Sequence, residues 1–311
     1  MNISCIEPLG ISKDVFEALK KEFEANGHNF TYYMDRCVDS ATLVGRMRDA
    51  DVVVVSNIKI NHVVLQQCEH LKFISVAFTG LDHIDLKYCS EHNIKVQNAA
   101  GYSTVAVSEL AIGLMIDLLR QVTSFDAVTR KGGSRGTVLG SELHGKTVGV
   151  VGTGAIGTAT IRLLRAFGCN VLAYNRSRHV DVEAMGARYV SLDELLSQSD
   201  IVTLHLPLTE DTRHLIDKEQ LALLKKNALL INTARGGVVN YLAAAVALKR
   251  GDFAGMAIDV YEEEPPLKPD HPLLWAPNCI LVPHIGYATH EAFEIRANIV
   301  FDHVREWLKT C

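Results

Sequence analysis

One stretch constrains the chain more than any other: KTVGVVGTGAIGTATIRLLRAFG, residues 146–168. A β-branched run leads into Gly152-x-Gly154-x-x-Gly157, and an amphipathic pattern of helical period then runs to Gly168. This reads as the strand, turn and helix that open a parallel βαβ unit. The first glycine allows a tight turn, the second lets backbone approach a pyrophosphate, and the third lets helix and strand pack closely. Ala155 and Ile156 complete the loop at the helix N-terminus, where free N–H groups favour phosphate. The bland reading, a structural turn, is disfavoured because a further strand, CNVLAYN, follows at once.

The end of that next strand is unusual. Eighteen residues past Gly157, where an acid would hold both ribose hydroxyls of NAD, stands Asn175, followed by Arg176, Ser177 and Arg178. No carboxylate repels a phosphate there, and the guanidinium groups and hydroxyl suit a 2′-phosphate. NADP(H) is therefore favoured. The alternative is NAD(H), with Asn175 binding a plain ribose through its amide and the arginines solvated.

At 311 residues the chain is long for one domain and ample for two. Short strand-like runs alternate with helical patterns twice over: NISCI, FTYYM, DVVVVS, LKFISVAF and IKVQNA first, then KTVGVVG, CNVLAYN, IVTLHLP, ALLINTA, GMAIDVY and CILVPH. Such alternation implies parallel sheets covered on both faces. The expected architecture is α/β with two doubly wound lobes and a cleft between them. A flavodoxin-like substrate domain takes residues 1–98 and 288–311, and a Rossmann dinucleotide-binding domain takes 99–287. Val15, Phe16, Leu19 and Phe23 fall on one helical face stopped by Asn26-Gly27, and Ser191 with Glu194 spells a capping box. The last helix, His290 to Lys309, carries Phe293, Ala297, Val300, Val304 and Leu308 on one stripe and is expected to pack on the first lobe.

Composition narrows the function classes. A net charge of -5 argues against nonspecific nucleic-acid binding, and 48% hydrophobic with 22% charged residues describes a chain that buries a sizeable core. The cysteines at 5, 37, 68, 89, 169, 279 and 311 show no C-x-x-C spacing and read as small buried thiols of a cytoplasmic protein. Neither export nor membrane insertion is expected. His271, Cys279, His284 and His290 match no common zinc spacing, so no metal site is expected.

Three more stretches, NTARGGVVN, AIDVYEEEPP and LVPHIGYAT, each begin as a strand and end in polar or Gly/Pro-rich loop. That puts Arg235, Glu264 and His284 at carboxyl ends of parallel strands, where doubly wound sheets bind ligands. Singly, each has a bland reading: a capping arginine, a solvated glutamate, a core histidine. Together beside a dinucleotide fold they make a catalytic set.

With LHLPLTEDTRHLI, LLINTARGGVVN, AIDVYEEEP and PHIGYAT in order over nearly the full length, the chain resembles the D-isomer-specific 2-hydroxyacid dehydrogenases. The resemblance implies that Arg235 binds the carboxylate and carbonyl of a 2-keto acid, and that Glu264 pairs with His284, the proton donor. It further implies Thr79, Gly80 and Leu81 as a substrate loop, Asp259 on the nicotinamide carboxamide, and Thr233, Ala234, Leu206, Pro207, Gly286 and Thr104 along the cofactor. The chemistry is sound on its own terms: hydride arriving at a keto carbon builds negative charge on the carbonyl oxygen, so a proton donor must stand beside it, and histidine titrates in the useful range.

Within the family, Glu264 points to a 2-keto acid rather than formate, and no appended regulatory domain is expected after the final helix. Between Val52 and His62 the basic residue is Lys59, with no arginine to clamp a substrate phosphate. The chain is thus most similar to glyoxylate/hydroxypyruvate reductases, expected to act on a small 2-keto or 2-hydroxy acid as a homodimer; the apolar face of VAVSELAIGLMIDLL reads equally as the face joining two copies or as core. The alternatives are a 3-phosphoglycerate dehydrogenase, with Lys59 doing the work of an arginine, and a non-enzymatic NAD(H)-sensing scaffold like the C-terminal-binding corepressors.

Overall fold

The computed structural model describes residues 1–310, so the expectation for Cys311 lies outside them. The elements run β1 (Asn2–Cys5), α1 (Lys13–Ala25), β2 (Asn29–Tyr32), α2 (Ser40–Met47), β3 (Val52–Val55), α3 (His62–Leu65), β4 (Phe73–Val76), α4 (Leu86–Glu91) and β5 (Lys95–Asn98). Then follow α5 (Thr104–Arg120), α6 (Val122–Arg130), β6 (Thr147–Val151), α7 (Ala155–Ala166), β7 (Asn170–Tyr174), α8 (Val180–Ala184), β8 (Ala187–Tyr189), α9 (Leu192–Gln198) and β9 (Ile201–Leu204). The chain closes with α10 (Lys218–Ala222), β10 (Leu229–Asn232), α11 (Tyr241–Arg250), β11 (Gly255–Ile258), β12 (Cys279–Leu281) and α12 (His290–Leu308). Two compact units result: Met1–Ser103 with the segment from Ala288 onward, and Thr104–Tyr287. Residues 99–103 group with the first unit.

In the first unit a five-stranded parallel sheet has the order β2-β1-β3-β4-β5, the flavodoxin-like winding. The strands β3 and β4, VVVV and FISV, are buried throughout, as a strand covered on both faces must be. Helix α12 packs on β4, where Phe73 stacks on Trp307 and the Ser75 hydroxyl donates to the Val300 carbonyl at 3.0 Å. Its buried stripe is wider than the apolar pattern suggested: it includes Ala292, Phe301, Trp307 and the guanidinium of Arg296, while Phe293 and Leu308 are only half-buried. On α1, Phe16, Leu19 and Phe23 are buried but Val15 is exposed, because the apolar face is one residue narrower than its spacing allows.

The second unit is a seven-stranded parallel sheet in the order β12-β11-β10-β9-β6-β7-β8, with the change of winding direction between β6 and β9. That is the Rossmann arrangement, in which the crevice at the switch point binds the dinucleotide. The apolar face of α5 (Val107, Ala111, Ile112, Leu114, Met115, Leu119) is buried within this unit, so of its two readings, dimer face or core, the second holds. The capping box at Ser191 is half-formed. Ser191 accepts the Glu194 N–H, but Glu194 Oε1 accepts instead from Arg188 at 2.9 Å and Gln198 at 3.3 Å. A complete box occurs at Asp217 and Gln220 on α10. Cys5, Cys68, Cys89 and Cys169 are buried, whereas Cys37 and Cys279 are half-buried.

Candidate active site

The glycine loop follows β6 because its geometry admits nothing larger. Gly152 has φ +97°, and a Cβ there would lie 2.4 Å from the His205 carbonyl oxygen; a Cβ on Gly157 would lie 1.9 Å from that of Gly152. Gly154 is different in kind: a Cβ there meets nothing within 4 Å. It is the N-cap of α7, a twelve-residue helix with no side-chain cap. Open space over uncapped N–H groups of Ala155, Ile156 and Gly157 has the geometry that suits a pyrophosphate. Thr233 Oγ1, just past β10, is a further polar atom that is buried without a hydrogen-bond partner. These features fit a dinucleotide. Thr104 opens α5, Leu206 is half-buried and Pro207 exposed just past β9, and Ala234 is buried beside Thr233.

Past β7 the carboxamide of Asn175 is turned inward: its Nδ2 donates to the Ser177 carbonyl at 3.0 Å and lies 3.3 Å from His179 Nε2. The residue shapes its own loop, leaving Arg176 and Ser177 exposed.

At the ends of β10, β11 and β12 the expected catalytic residues are individually fixed. Asn232 folds the turn that presents Arg235: its Oδ1 accepts the Ala234 N–H at 3.0 Å and its Nδ2 donates to the Arg235 carbonyl at 3.0 Å and to the Tyr241 hydroxyl at 2.9 Å. Tyr241 in turn donates to the Val260 carbonyl at 2.7 Å, tying the end of β10 to that of β11. Gly236 permits the same approach, since a Cβ there would lie 2.0 Å from the Tyr261 carbonyl carbon. Arg235 Nη1 donates to the Ala234 carbonyl at 2.7 Å, and the side chain is half-buried.

His284 sits at φ +54°, a left-handed conformation that costs a histidine of order 1 kcal/mol or more and persists only where its surroundings impose it. Those surroundings are identifiable. Asp259, 1% exposed at the end of β11, accepts the N–H groups of Ile285 at 2.7 Å and Gly286 at 2.9 Å. A Cβ on Gly286 would come within 2.7 Å of that carboxylate. Burial pushes the Asp259 carboxyl up to about 6, opposed by these two N–H donors and by the His284 charge. So held, His284 Nδ1 lies 2.8 Å from Glu264 Oε1, and its ring meets Tyr287 edge-on at 5.2 Å. Sequence reasoning gave Asp259 a cofactor role and missed that it braces the histidine loop; the signal, an acid buried at a strand end 26 residues from its partners, has no local pattern.

In the first unit, Thr79, Gly80 and Leu81 are half-buried after β4, and among the described residues their N–H groups meet no acceptor. The Asn98 amide steadies the turn by donating to the Thr79 carbonyl at 2.5 Å. A cation absent from the sequence reading also appears at this sheet's carboxyl edge. Arg36, after β2, pairs with the buried carboxylate of Glu7 and donates to Asn57 Oδ1 at 2.8 Å. Glu7 Oε1 accepts the Ser56 N–H at 2.7 Å, and burial raises its carboxyl above the usual range. Lys59 is exposed on the same loop. Among the described residues no group of three or more His, Cys, Asp or Glu side chains could hold a metal ion, and no helix is long and apolar enough to cross a membrane.

The family profile described as D-isomer specific 2-hydroxyacid dehydrogenase, NAD binding domain, matches residues 112–286. A D-3-phosphoglycerate dehydrogenase of Methanocaldococcus jannaschii is 41% identical over 271 residues, 86% of this chain and 51% of that protein, so the chain spans about half of that relative's length. A glyoxylate reductase of Thermofilum pendens is 41% identical over 265 residues, covering 83% of this chain and 78% of the relative. Among solved structures, an acyclic imino acid reductase in complex with NADPH and D-Arg superposes with a TM-score of 0.89 at 26% identity, covering 100% of this chain and 98% of the other. The chain belongs to the D-isomer-specific 2-hydroxyacid dehydrogenase family, and its second unit contains the stretch that matches the family's NAD binding domain.

Proposed function

We propose that the protein reduces a small, unphosphorylated 2-keto acid of the hydroxypyruvate or glyoxylate type to the D-2-hydroxy acid, using NADP(H) in preference to NAD(H). The observation that carries this reading is the His284–Glu264 pair, held by Asp259 at the carboxyl end of the nucleotide-binding sheet. The bound dinucleotide supplies hydride. His284 gives the proton the reduced oxygen needs, while Glu264 fixes the orientation of the ring. Arg235 orients the keto acid by its carboxylate and polarises the carbonyl, Thr79, Gly80 and Leu81 offer backbone N–H groups to the substrate, and the orphaned Thr233 hydroxyl is available to the cofactor.

The preference for an unphosphorylated acid rests on Arg36. Its charge is answered by Glu7, and a phosphate would have to displace that carboxylate or rely on Lys59. A 3-phosphoglycerate dehydrogenase is the second reading, favoured by the name of the Methanocaldococcus relative. We further infer a cytoplasmic homodimer. The exposed apolar side chains of Val122, Val128, Val138 and Leu139 on α6 and the loop after it support a second copy as partner.

Initial rates with hydroxypyruvate, glyoxylate and 3-phosphohydroxypyruvate, each with NADPH and NADH at matched subsaturating concentration, test this reading. NADPH-dependent turnover on either of the first two supports it. Preference for the phosphorylated substrate would establish the second reading, and no turnover on any 2-keto acid would favour an NAD(H)-sensing scaffold.

A further inference from the structure

Strand β8 is three residues long, ARY, and its last residue, Tyr189, is 9% exposed. Its hydroxyl stands between two elements, the glycine loop after β6 and the loop after β7. On one side it is 2.8 Å from the Oγ1 of Thr153, the residue between Gly152 and Gly154, which is 2% exposed. Thr153 is in turn bound to α7, since its carbonyl accepts from the Thr158 hydroxyl at 3.1 Å. On the other side the Tyr189 oxygen accepts the His179 N–H at 3.3 Å, closing the loop that begins at Asn175 and carries Arg176, Ser177 and Arg178. Asn175 holds that loop from within through Ser177 and His179. One phenol oxygen thus fastens the cation-bearing loop to the pyrophosphate cradle.

We propose that Tyr189 is a positioning residue for cofactor choice, presetting the distance between the glycine loop and the arginine-bearing loop for a dinucleotide with a 2′-phosphate. The inference rests on the NADP(H) reading above. A 2′-phosphate must be met by charge-assisted donors at a fixed distance from the pyrophosphate, and a loop that wanders gives up part of that binding free energy as ordering entropy. NADH uses the glycine loop but has no phosphate for Arg176 or Arg178, so loosening the loop falls on NADPH selectively. Tyr189→Phe keeps the ring in the core and removes only the oxygen.

The test is calorimetric binding of NADPH, NADH, 2′,5′-ADP and 5′-AMP to the full chain, with thermal melting alongside, for wild type, Tyr189→Phe, Thr153→Val and the double variant. Tyr189→Phe should weaken NADPH and 2′,5′-ADP about 3- to 10-fold, the worth of one net hydrogen bond, while NADH and 5′-AMP stay within about twofold. Thr153→Val should act in the same direction and carries the test if Tyr189→Phe does not fold, and the double variant should be no weaker than the worse single one. Equal losses for all four ligands, or unchanged NADPH binding in both single variants, overturn the proposal while leaving the NADP(H) reading in place. A wild type that binds 2′,5′-ADP no better than 5′-AMP overturns both.

Discussion

His284 Nδ1 lies 2.8 Å from Glu264 Oε1, although the two residues are joined by 20 positions of chain and the histidine must adopt a left-handed backbone to meet its partner. Glu264 is half exposed, so as a surface ion pair the contact is worth little to folding. In the proposed mechanism its value is in orientation. Glu264→Gln should lower kcat for keto-acid reduction by about 10- to 10²-fold, with the melting temperature nearly unchanged; steady-state kinetics and a thermal melt check this. Unchanged kcat would reduce the pair to a surface contact.

Arg235 is held by the Asn232 turn and offers a planar fork that lysine cannot copy. Arg235→Lys should cut kcat/KM for the keto acid by about 10- to 10²-fold, the size of a lost charge-assisted pair, with the NADPH dissociation constant held within about twofold. A comparable loss in cofactor binding would move Arg235 from substrate to cofactor.

Two glycines of one motif should respond in opposite ways. A Cβ on Gly157 would meet the Gly152 carbonyl oxygen at 1.9 Å, so Gly157→Ala should destabilise the fold by about 2 kcal/mol or more. A Cβ on Gly154 meets open space, so Gly154→Ala should shift stability by no more than about 0.5 kcal/mol. If the pyrophosphate occupies that space, as proposed, NADPH binding should nonetheless weaken about tenfold or more. Denaturant melts and calorimetry separate the two effects, and full NADPH affinity in Gly154→Ala would place the pyrophosphate elsewhere.

The half-buried His205, whose Nδ1 is shut away from solvent without a partner, sets a pH dependence of stability. Burial pushes it from 6.5 down to about 4, so as pH falls through that window the unfolded chain takes up the proton first and the fold is weakened. The effect is at most about 3 kcal/mol at the acid end and absent above pH 6.5. Asp259 works in the opposite sense: its folded carboxyl, raised to about 6 from 3.8, takes up a proton before the unfolded one, so stability rises as pH falls across that range. The two offset each other in the wild type. His205→Gln should therefore gain stability relative to wild type between pH 7.5 and pH 5 in urea melts, and a constant difference across that range would show that the ring titrates normally.

Local pattern carried much of the architecture. The glycine loop, the alternating strands and the polar residues at their carboxyl ends were legible because each depends on near neighbours, and Arg235, Glu264 and His284 stand at the ends of β10, β11 and β12 as their flanks implied. What stayed hidden depends on distance. Strand β8 is too short to show a period, so Tyr189 could not be placed. The Arg36–Glu7 pair spans 29 residues and the Asp259 brace about as many, and neither leaves a mark on adjacent positions. The face of α5 illustrates the converse: its apolar spacing is the same whether it covers a second copy or its own core, and only the packed structure shows that it is core.

The most direct measurement of the central claim is the reduction of hydroxypyruvate by wild type and His284→Asn, followed by loss of NADPH absorbance, with NADPH affinity measured in parallel and the configuration of the product determined. The account predicts D-glycerate from the wild type and turnover lowered about 10²-fold or more in the variant, with NADPH binding intact. An L-product, or a His284→Asn variant that turns over at nearly the wild-type rate, would contradict it.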